Sequence, residues 1–294
     1  MITPLTALAI DRLCFDVSAI AIYGRSGFIV WAASAPLRQP LEAWSRRWTS
    51  MASLVALAAA VAWLPLEAAT SSEDWHAAVD GAVLRSLLFD TGVGKAWLVR
   101  MILAIALLVT LVRWRFLLKL HLVGSALLLA SLALSGHASM TGGLHGLLHV
   151  LNDIAHLLSG GAWLGGLLML PQCLKRVSDP PLNFDARTAL ARYSAAGHLA
   201  VALVVATGVV NAVLIVPADM INVRTTYQLL LALKLGLVVM MIGLALVNRY
   251  VLVPQIRIRR AQSISQIRVA TIFEIALGFG VLTLVAIFGS LDPT

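Results

Sequence analysis

Residues 226–248 read TYQLLLALKLGLVVMMIGLALVN, an apolar run that carries a single charged residue, Lys234. About 20 consecutive apolar residues span the hydrocarbon core of a bilayer as a helix. Seven further runs of this kind lie at 8–34, 47–68, 92–112, 115–137, 146–171, 190–216 and 266–289. None of them alternates polar and apolar residues, as the strands of a membrane β-barrel do. The sequence therefore predicts an all-α polytopic membrane protein, a bundle of eight transmembrane helices forming a single transmembrane domain over residues 1–294.

The composition of the whole chain agrees with this prediction. Of 294 residues, 60% are hydrophobic and 12% are charged, whereas soluble domains contain about 45–50% apolar and about 25% charged residues. Such a composition excludes an ordinary soluble enzyme and a disordered chain. The sequence contains no phosphate-binding loop, zinc-protease motif or nucleophile elbow. We therefore predict that the chain is not an enzyme.

The formal net charge of +8 comes from cations between the apolar runs. These cations indicate membrane topology and contact with the lipid bilayer, so no nucleic acid is expected as a partner. Alternate loops hold 15 of the 22 Lys and Arg residues, and the positive-inside rule places those loops in the cytoplasm. Both termini are then expected outside. The 15 residues are Arg38, Arg46, Arg47, Arg113, Arg115, Lys119, Lys175, Arg176, Arg187, Arg192, Arg249, Arg257, Arg259, Arg260 and Arg268.

Eight charged residues fall within or near the apolar runs, where a charge at mid-bilayer costs about 2.5–3.5 kcal/mol or more. Four are acids and four are bases, so they can pair completely, and Arg12 and Asp16 could pair locally on one helix. Asp16 and Arg100 are expected to be buried charges. Lys234 and Glu274 are expected to be buried as well, and to line or close a pathway. The eight are Asp11, Arg12, Asp16, Arg25, Arg100, Asp153, Lys234 and Glu274.

A histidine stripe marks the fifth apolar run. At about 100° per residue, His149 and His156 lie about 40° and 20° from His145, and Asp153 lies about 80° from it. At about 1.5 Å per residue the stripe extends about 16 Å inward from the outer surface. Three imidazoles and a carboxylate on one face indicate a metal or proton site that opens outward.

Metal ligands must converge from at least two elements, and the preceding helix supplies the second. Neutral imidazole and thioether suit copper, while imidazole with carboxylate suits Zn²⁺ or Cu²⁺. We predict a metal site with four histidine ligands, a methionine as a candidate soft ligand, and an aspartate that either binds the ion or orients an imidazole. These are His137, His145, His149, His156, Met140 and Asp153.

Two alternatives use the same residues differently. His121 and His198 lie at the same depth, about six residues from the cytoplasmic ends of their runs. The pairs His121 with His198 and His137 with His156 would suit two b-type haems with axial imidazoles, as in a di-haem electron-transfer protein or a metal reductase. A membrane copper-delivery assembly factor would need the metal site but no continuous polar path below His156.

Several short segments follow one another along residues 135–274. They are Ser135-Gly136-His137-Ala138, Asp153 with His156, Ala162-Trp163-Leu164-Gly165-Gly166, Arg192-Tyr193-Ser194, Thr207-Gly208-Val209-Val210-Asn211, Tyr227 with Leu230 and Lys234, Asn248-Arg249 before Pro254, and Glu274. In order and spacing they resemble the copper resistance protein D family (CopD), most specifically over residues 135–254.

The resemblance implies copper handling at the bacterial inner (plasma) membrane, so the outer side on which the charges place both termini is the periplasm. It implies that a copper ion binds at a periplasm-facing site and is transferred inward. It also implies a periplasmic copper-carrying partner of the CopC type, expected as a separate chain because the sequence contains no such β-domain. The family motifs include His137 and His156, whereas the other candidate ligands come from the stripe alone.

Overall fold

The computed structural model describes residues 2–112, 118–135, 143–215, 225–256 and 258–289. These ranges contain eleven α-helices and no strand, which confirms the all-α class. The helices are α1 (Pro4–Gly27), α2 (Ala35–Ser71), α3 (Gly81–Asp90), α4 (Gly92–Val112), α5 (Leu118–Ala130), α6 (Gly143–Leu167), α7 (Leu170–Arg176), α8 (Asn183–Ile215), α9 (Thr226–Val247), α10 (Val253–Gln255) and α11 (Arg260–Phe288).

The helices confirm a polytopic membrane protein, whereas the count of eight spans stays a prediction. Within the described ranges, five helices are long and apolar enough to cross a bilayer, namely α2, α4, α8, α9 and α11. A sixth span results if α6 and α7, which meet at a bend of 42°, are counted together. Helix α1 has 24 residues but contains four charged ones, and α5 with the 3-10 turn after it is shorter than the others.

Several helices continue beyond the apolar runs. Helix α2 covers 37 residues and begins well before the run at 47–68.

Local capping explains where helices α1 and α9 start. The Thr3 side chain accepts a hydrogen bond from the Thr6 backbone N–H at the start of α1. Thr225 does the same for the Gln228 N–H at the start of α9. These side chains satisfy backbone donors that the first helical turn leaves without a partner.

Helix α6 lies between the two halves of the bundle. It contacts α1 and α5 from the N-terminal half, and α8 and α11 from the C-terminal half. A Cβ on Gly165 would overlap the Ile20 carbonyl of α1, and one on Gly166 would overlap the Tyr193 ring of α8. Small residues allow this close approach of helix backbones in a membrane. The helix that carries the histidine stripe is therefore fixed on two sides.

Candidate functional site

Helix α6 places the histidine stripe at one end of the bundle. His149 is buried, Asp153 and His156 are half-buried, and His145 is exposed. His137 and Met140 lie outside the described residues. Among the residues that the structure describes, no three His, Cys, Asp or Glu side chains lie close enough together to hold a metal ion. The full ligand set therefore stays a prediction.

The imidazole of His156 is oriented by α8. Its Nδ1 lies 3.0 Å from the Thr207 hydroxyl oxygen, and that hydroxyl donates its own hydrogen to the Leu203 carbonyl at 2.5 Å. A hydroxyl has one hydrogen to donate, so Thr207 accepts from His156 and the ring proton is on Nδ1. A Cβ on Gly208 would lie 3.2 Å from Cε1 of this ring, so the glycine leaves space for it. The lone pair of Nε2 is then the one that can bind a metal ion.

A network of two amides joins α6 to α8 beside this imidazole. Asn152 donates to the Thr207 carbonyl at 3.0 Å and to Asn211 Oδ1 at 2.7 Å. Asn211 donates from Nδ2 to Asp153 Oδ1 at 3.1 Å. Both hydrogens of the Asn152 amide are used, which fixes the direction of both amides. The Asp153 carboxylate is therefore held in place next to the stripe.

Two further groups interact electrostatically with Asp153. His149 lies one turn earlier on α6, and Lys234 comes from α9. The Lys234 ammonium lies 5.6 Å from the centre of the Phe288 ring. In the described part of the chain, Asp153 and Lys234 do not form a direct ion pair. The Asp153 carboxylate therefore lies near the positive charge of Lys234 but is not in direct contact with it.

A second polar cluster lies further along the same helices, toward the predicted cytoplasmic side. Glu274 on α11 is only 2% exposed and accepts a hydrogen bond from Asn248 Nδ2 at 2.6 Å. The neighbouring Arg249 donates to the Ser194 hydroxyl of α8 at 2.6 Å. Helices α8 and α11, together with the π-helical turn Asn248–Leu252 that follows α9, therefore contribute polar groups at a second depth.

An apolar layer separates the two polar clusters. It contains the buried side chains of Trp163, Leu167 and Met241. On α9, Met241 is seven residues from Lys234, and it is seven residues from Asn248, the first residue after α9; each interval is about 10 Å along the helix axis. The polar side chains around Asp153 and His156 therefore form an outer polar cluster, and those around Glu274 and Asn248 form an inner polar cluster.

Some of the buried charges have partners outside the set of eight, and complete pairing within that set stays a prediction. Arg12 forms an ion pair with Glu67 on α2 at 3.7 Å, and Glu67 is not one of the eight expected residues. Arg100, 3% exposed, donates to the Ser135 hydroxyl at 2.7 Å and interacts electrostatically with Asp16. Neighbouring helices thus also present hydroxyl groups that hydrogen-bond a buried charge, and Glu67 is a further acid within the run 47–68.

The other pair of histidines considered for haem has separate partners. His121, 1% exposed, lies with Nδ1 2.9 Å from the Thr110 hydroxyl of α4. His198 is exposed and donates from Nδ1 to the Ser194 carbonyl at 2.8 Å, while its Nε2 lies 3.3 Å from the Tyr250 hydroxyl. An axial haem ligand needs one ring nitrogen for the iron. Both nitrogens of His198 already have a protein partner, so its geometry does not favour haem.

Two family sequence models match the chain. The model of the copper resistance protein D-like N-terminal domain matches residues 1–147, and that of copper resistance protein D matches residues 187–288. The chain belongs to the copper resistance protein D family. This confirms the resemblance seen in the sequence, and it assigns both halves of the chain to the same family.

Three relatives show how far the CopD similarity extends. The inner membrane protein YebZ of Escherichia coli (strain K12) is 31% identical over 283 residues, 96% of this chain and 97% of that protein. Copper resistance protein D of Pseudomonas syringae pv. tomato is 34% identical over 78% of this chain and 77% of its own length. The copper transport protein CutJ of Bacillus subtilis (strain 168) is 27% identical over 78% of this chain and 42% of its own length. No solved structure matches the chain.

The segments that carry the CopD resemblance contact one another. The contacting pairs are His156 with Thr207, Asp153 with Asn211, Trp163 with Tyr193, and Glu274 with Asn248. Thr207 and Asn211 belong to the segments that resemble the family, but the sequence alone did not predict a role for them in the site. The signal that could have found them is their spacing of four residues in an otherwise apolar part of α8, which places both on one helix face.

Proposed function

We propose that this protein binds copper at the periplasmic end of α6 and transfers it inward across the bacterial inner membrane. The proposed ligands are His137, His145, His149 and His156, with Met140 and Asp153 as further donors. The observation that supports this proposal most is the orientation of His156. Thr207 accepts the Nδ1 proton, which leaves the Nε2 lone pair to the metal. Ligating imidazoles in metal sites are held in this way through their other nitrogen.

The donor chemistry fits copper as the transported substrate. Imidazole binds copper in either oxidation state, and a thioether favours Cu⁺. Asp153 supplies a negative charge that offsets the charge of a bound cation in surroundings of low dielectric constant. Lys234 supplies the positive charge near this carboxylate when no ion is bound. A copper ion at the stripe would replace that interaction.

The names of the relatives support both the metal and the location. One is named a copper resistance protein, one a copper transport protein, and one an inner membrane protein. The excess of Lys and Arg in alternate loops supports periplasmic termini. His145 is exposed at the outer end of α6, which fits delivery of copper by a periplasmic carrier of the CopC type on a separate chain.

Transfer inward requires copper to cross the apolar layer at Met241. On the far side, Glu274 and Asn248 provide oxygen ligands and a negative charge. The arrangement of two polar clusters on α6, α8, α9 and α11 supports a path through these four helices. An assembly factor would need the outer cluster alone, so the inner cluster favours transfer over delivery within the periplasm.

The test begins with copper and iron content measured on one purified sample. We expect about one copper ion per chain and no iron, and we expect His156→Ala to weaken copper binding by more than about tenfold. His198→Ala is the matched control, because it removes an imidazole from another part of the bundle. Two irons per chain would replace this proposal with the di-haem alternative. Copper bound without any uptake into proteoliposomes would contradict transfer and favour the assembly factor.

A further inference from the structure

A cluster of five charged side chains lies apart from the histidine stripe, and all of them except Glu67 line a small cavity. Helix α1 contributes Asp11, Arg12 and Asp16, α2 contributes Glu67, and α4 contributes Arg100. The cavity has a volume of about 20 Å³, enough for one water molecule. It lies at the end of the bundle that the charge distribution places outside.

Three polar atoms of this cluster have no hydrogen-bond partner among the described residues. Oε2 of Glu67 has instead the ion pair with Arg12 at 3.7 Å. The other two are Oδ2 of Asp11, whose side chain is 9% exposed, and Nε of Arg100, which is 3% exposed. Both residues line the cavity. The Arg100 guanidinium is held between aromatic rings, 5.2 Å from the centre of Phe15 and 5.4 Å from that of Trp63. Unpaired buried polar atoms beside a water-sized space indicate a site for a small hydrogen-bonding species.

Among the described residues, the cluster has three carboxyl groups and two guanidinium groups. If all five were ionised, a negative charge would remain uncompensated in apolar surroundings, which is costly. Glu67 has an ion pair with Arg12 at 3.7 Å, and Asp16 interacts electrostatically with Arg100. Asp11, the third carboxyl group, interacts with Arg100 less strongly than Asp16 does, and its unpartnered oxygen, unlike that of Glu67, has no ion pair among the described residues. A proton on Asp11 would remove the excess charge and supply a hydrogen for that oxygen to donate.

Arg100 connects this cluster to the predicted copper ligands. It donates to the hydroxyl of Ser135 at 2.7 Å, and Ser135 is two residues before His137 in the chain. The 3-10 turn that ends before Ser135 contributes no charged side chain to the cluster. A copper ion bound at His137, as the proposed function has it, would bring positive charge close along the chain to the residue that Arg100 contacts. That charge favours the ionised form of a nearby carboxyl group.

We propose that this cluster is a proton-binding site in which Asp11 holds one exchangeable proton, and that copper binding near His137 releases it through Arg100 and Ser135. The proton site stands on the charge count and the unpartnered atoms. Its link to copper rests on the proposed function. Copper entering from the periplasm would then exchange with a proton at a second site.

The first experiment measures the proton without copper. Infrared spectra of the purified protein are expected to show the carbonyl stretching band of a protonated carboxyl group, which shifts when water is replaced by D₂O. Asp11→Asn should remove that band, whereas Asp179→Asn, which changes a carboxylate at the other end of the bundle, should leave it. A band that survives in Asp11→Asn and disappears in Glu67→Gln or Asp16→Asn would overturn the assignment to Asp11. A spectrum unchanged in all three variants would overturn the proton site.

Thermal stability gives a second measurement that does not depend on the infrared band. Asn resembles a protonated Asp, so Asp11→Asn should unfold at the same temperature as the wild type. Asp16→Asn should unfold earlier, because it leaves Arg100 with one fewer carboxylate. A large loss of stability in Asp11→Asn would show that Asp11 is ionised, which contradicts the proposal.

The link to copper is tested by adding copper to the same samples. The band of Asp11 should lose intensity in the wild type and keep it in Ser135→Ala. A band that does not respond in a wild-type protein with copper bound would overturn the coupling. If the protein binds no copper, the proposed function fails, while the spectra without copper still decide the proton site.

Discussion

Thr207→Val tests whether the hydrogen bond behind His156 matters for metal binding. Valine has the shape of threonine but lacks the oxygen that accepts the Nδ1 proton at 3.0 Å. His156 is half-buried and also has a backbone hydrogen bond with Val204, so the loss of one partner costs at most the penalty of an unpartnered buried N–H, about 1–3 kcal/mol. Removing the group behind a ligating histidine lowers metal affinity about 10–100-fold, which corresponds to about 1.4–2.8 kcal/mol. The two ranges overlap, so we expect copper to bind tenfold to a hundredfold more weakly.

The assay is a competition titration of the detergent-purified protein against a copper chelator of known affinity. Thr283→Val is the control, because the Thr283 hydroxyl also bonds a carbonyl one turn back on its helix, that of Phe279 at 2.9 Å, without contacting a histidine. The control should bind copper as the wild type does. A Thr207→Val protein that is folded and has unchanged copper affinity would refute the role of His156 as an oriented ligand.

Three more substitutions separate packing, haem and transfer. Gly165→Ala should destabilise the protein by about 1–3 kcal/mol or prevent folding, because the added Cβ would overlap the Ile20 carbonyl. The measurement is the unfolding temperature, which should fall. An unchanged temperature would contradict the close packing of α1 and α6. His198→Ala should leave copper affinity unchanged, since its nitrogens bond Ser194 and Tyr250; weaker binding would place His198 in the site. Glu274→Gln should leave copper binding intact and slow copper uptake into proteoliposomes, because it removes the buried charge beyond the apolar layer. Uptake at the wild-type rate would show that Glu274 is not part of the proposed copper path.

The membrane character of the fold could be predicted from hydropathy because a bilayer imposes a length and a composition on each span. The described helices cover most of the predicted runs, but some extend past them. Helix α2 begins at Ala35 rather than at residue 47. Hydropathy marks the part of a helix that lies in lipid. The helix itself continues into polar residues that also favour helix, and it ends where local capping ends it.

The candidate site could be predicted in part. Helical periodicity alone placed His145, His149, Asp153 and His156 near one face of a helix, and α6 is the helix that the structure describes there. Periodicity could not show that these four side chains differ in exposure, or that His156 contacts Thr207. The exposure and the contact depend on how closely α8 approaches α6.

The sequence by itself determined the class of the protein, because the bilayer requires every span to pair its backbone groups internally and to present apolar side chains to lipid. It also determined which residues carry unusual chemistry, since histidines and carboxylates are rare in such runs. Only the tertiary structure decided which of these groups meet. Thr207 orients His156, Asn211 holds Asp153, and Arg12 pairs with Glu67 across separate helices. Contacts between helices depend on packing of small residues and on hydrogen bonds between distant parts of the chain, and neither leaves a periodic signal in a single run.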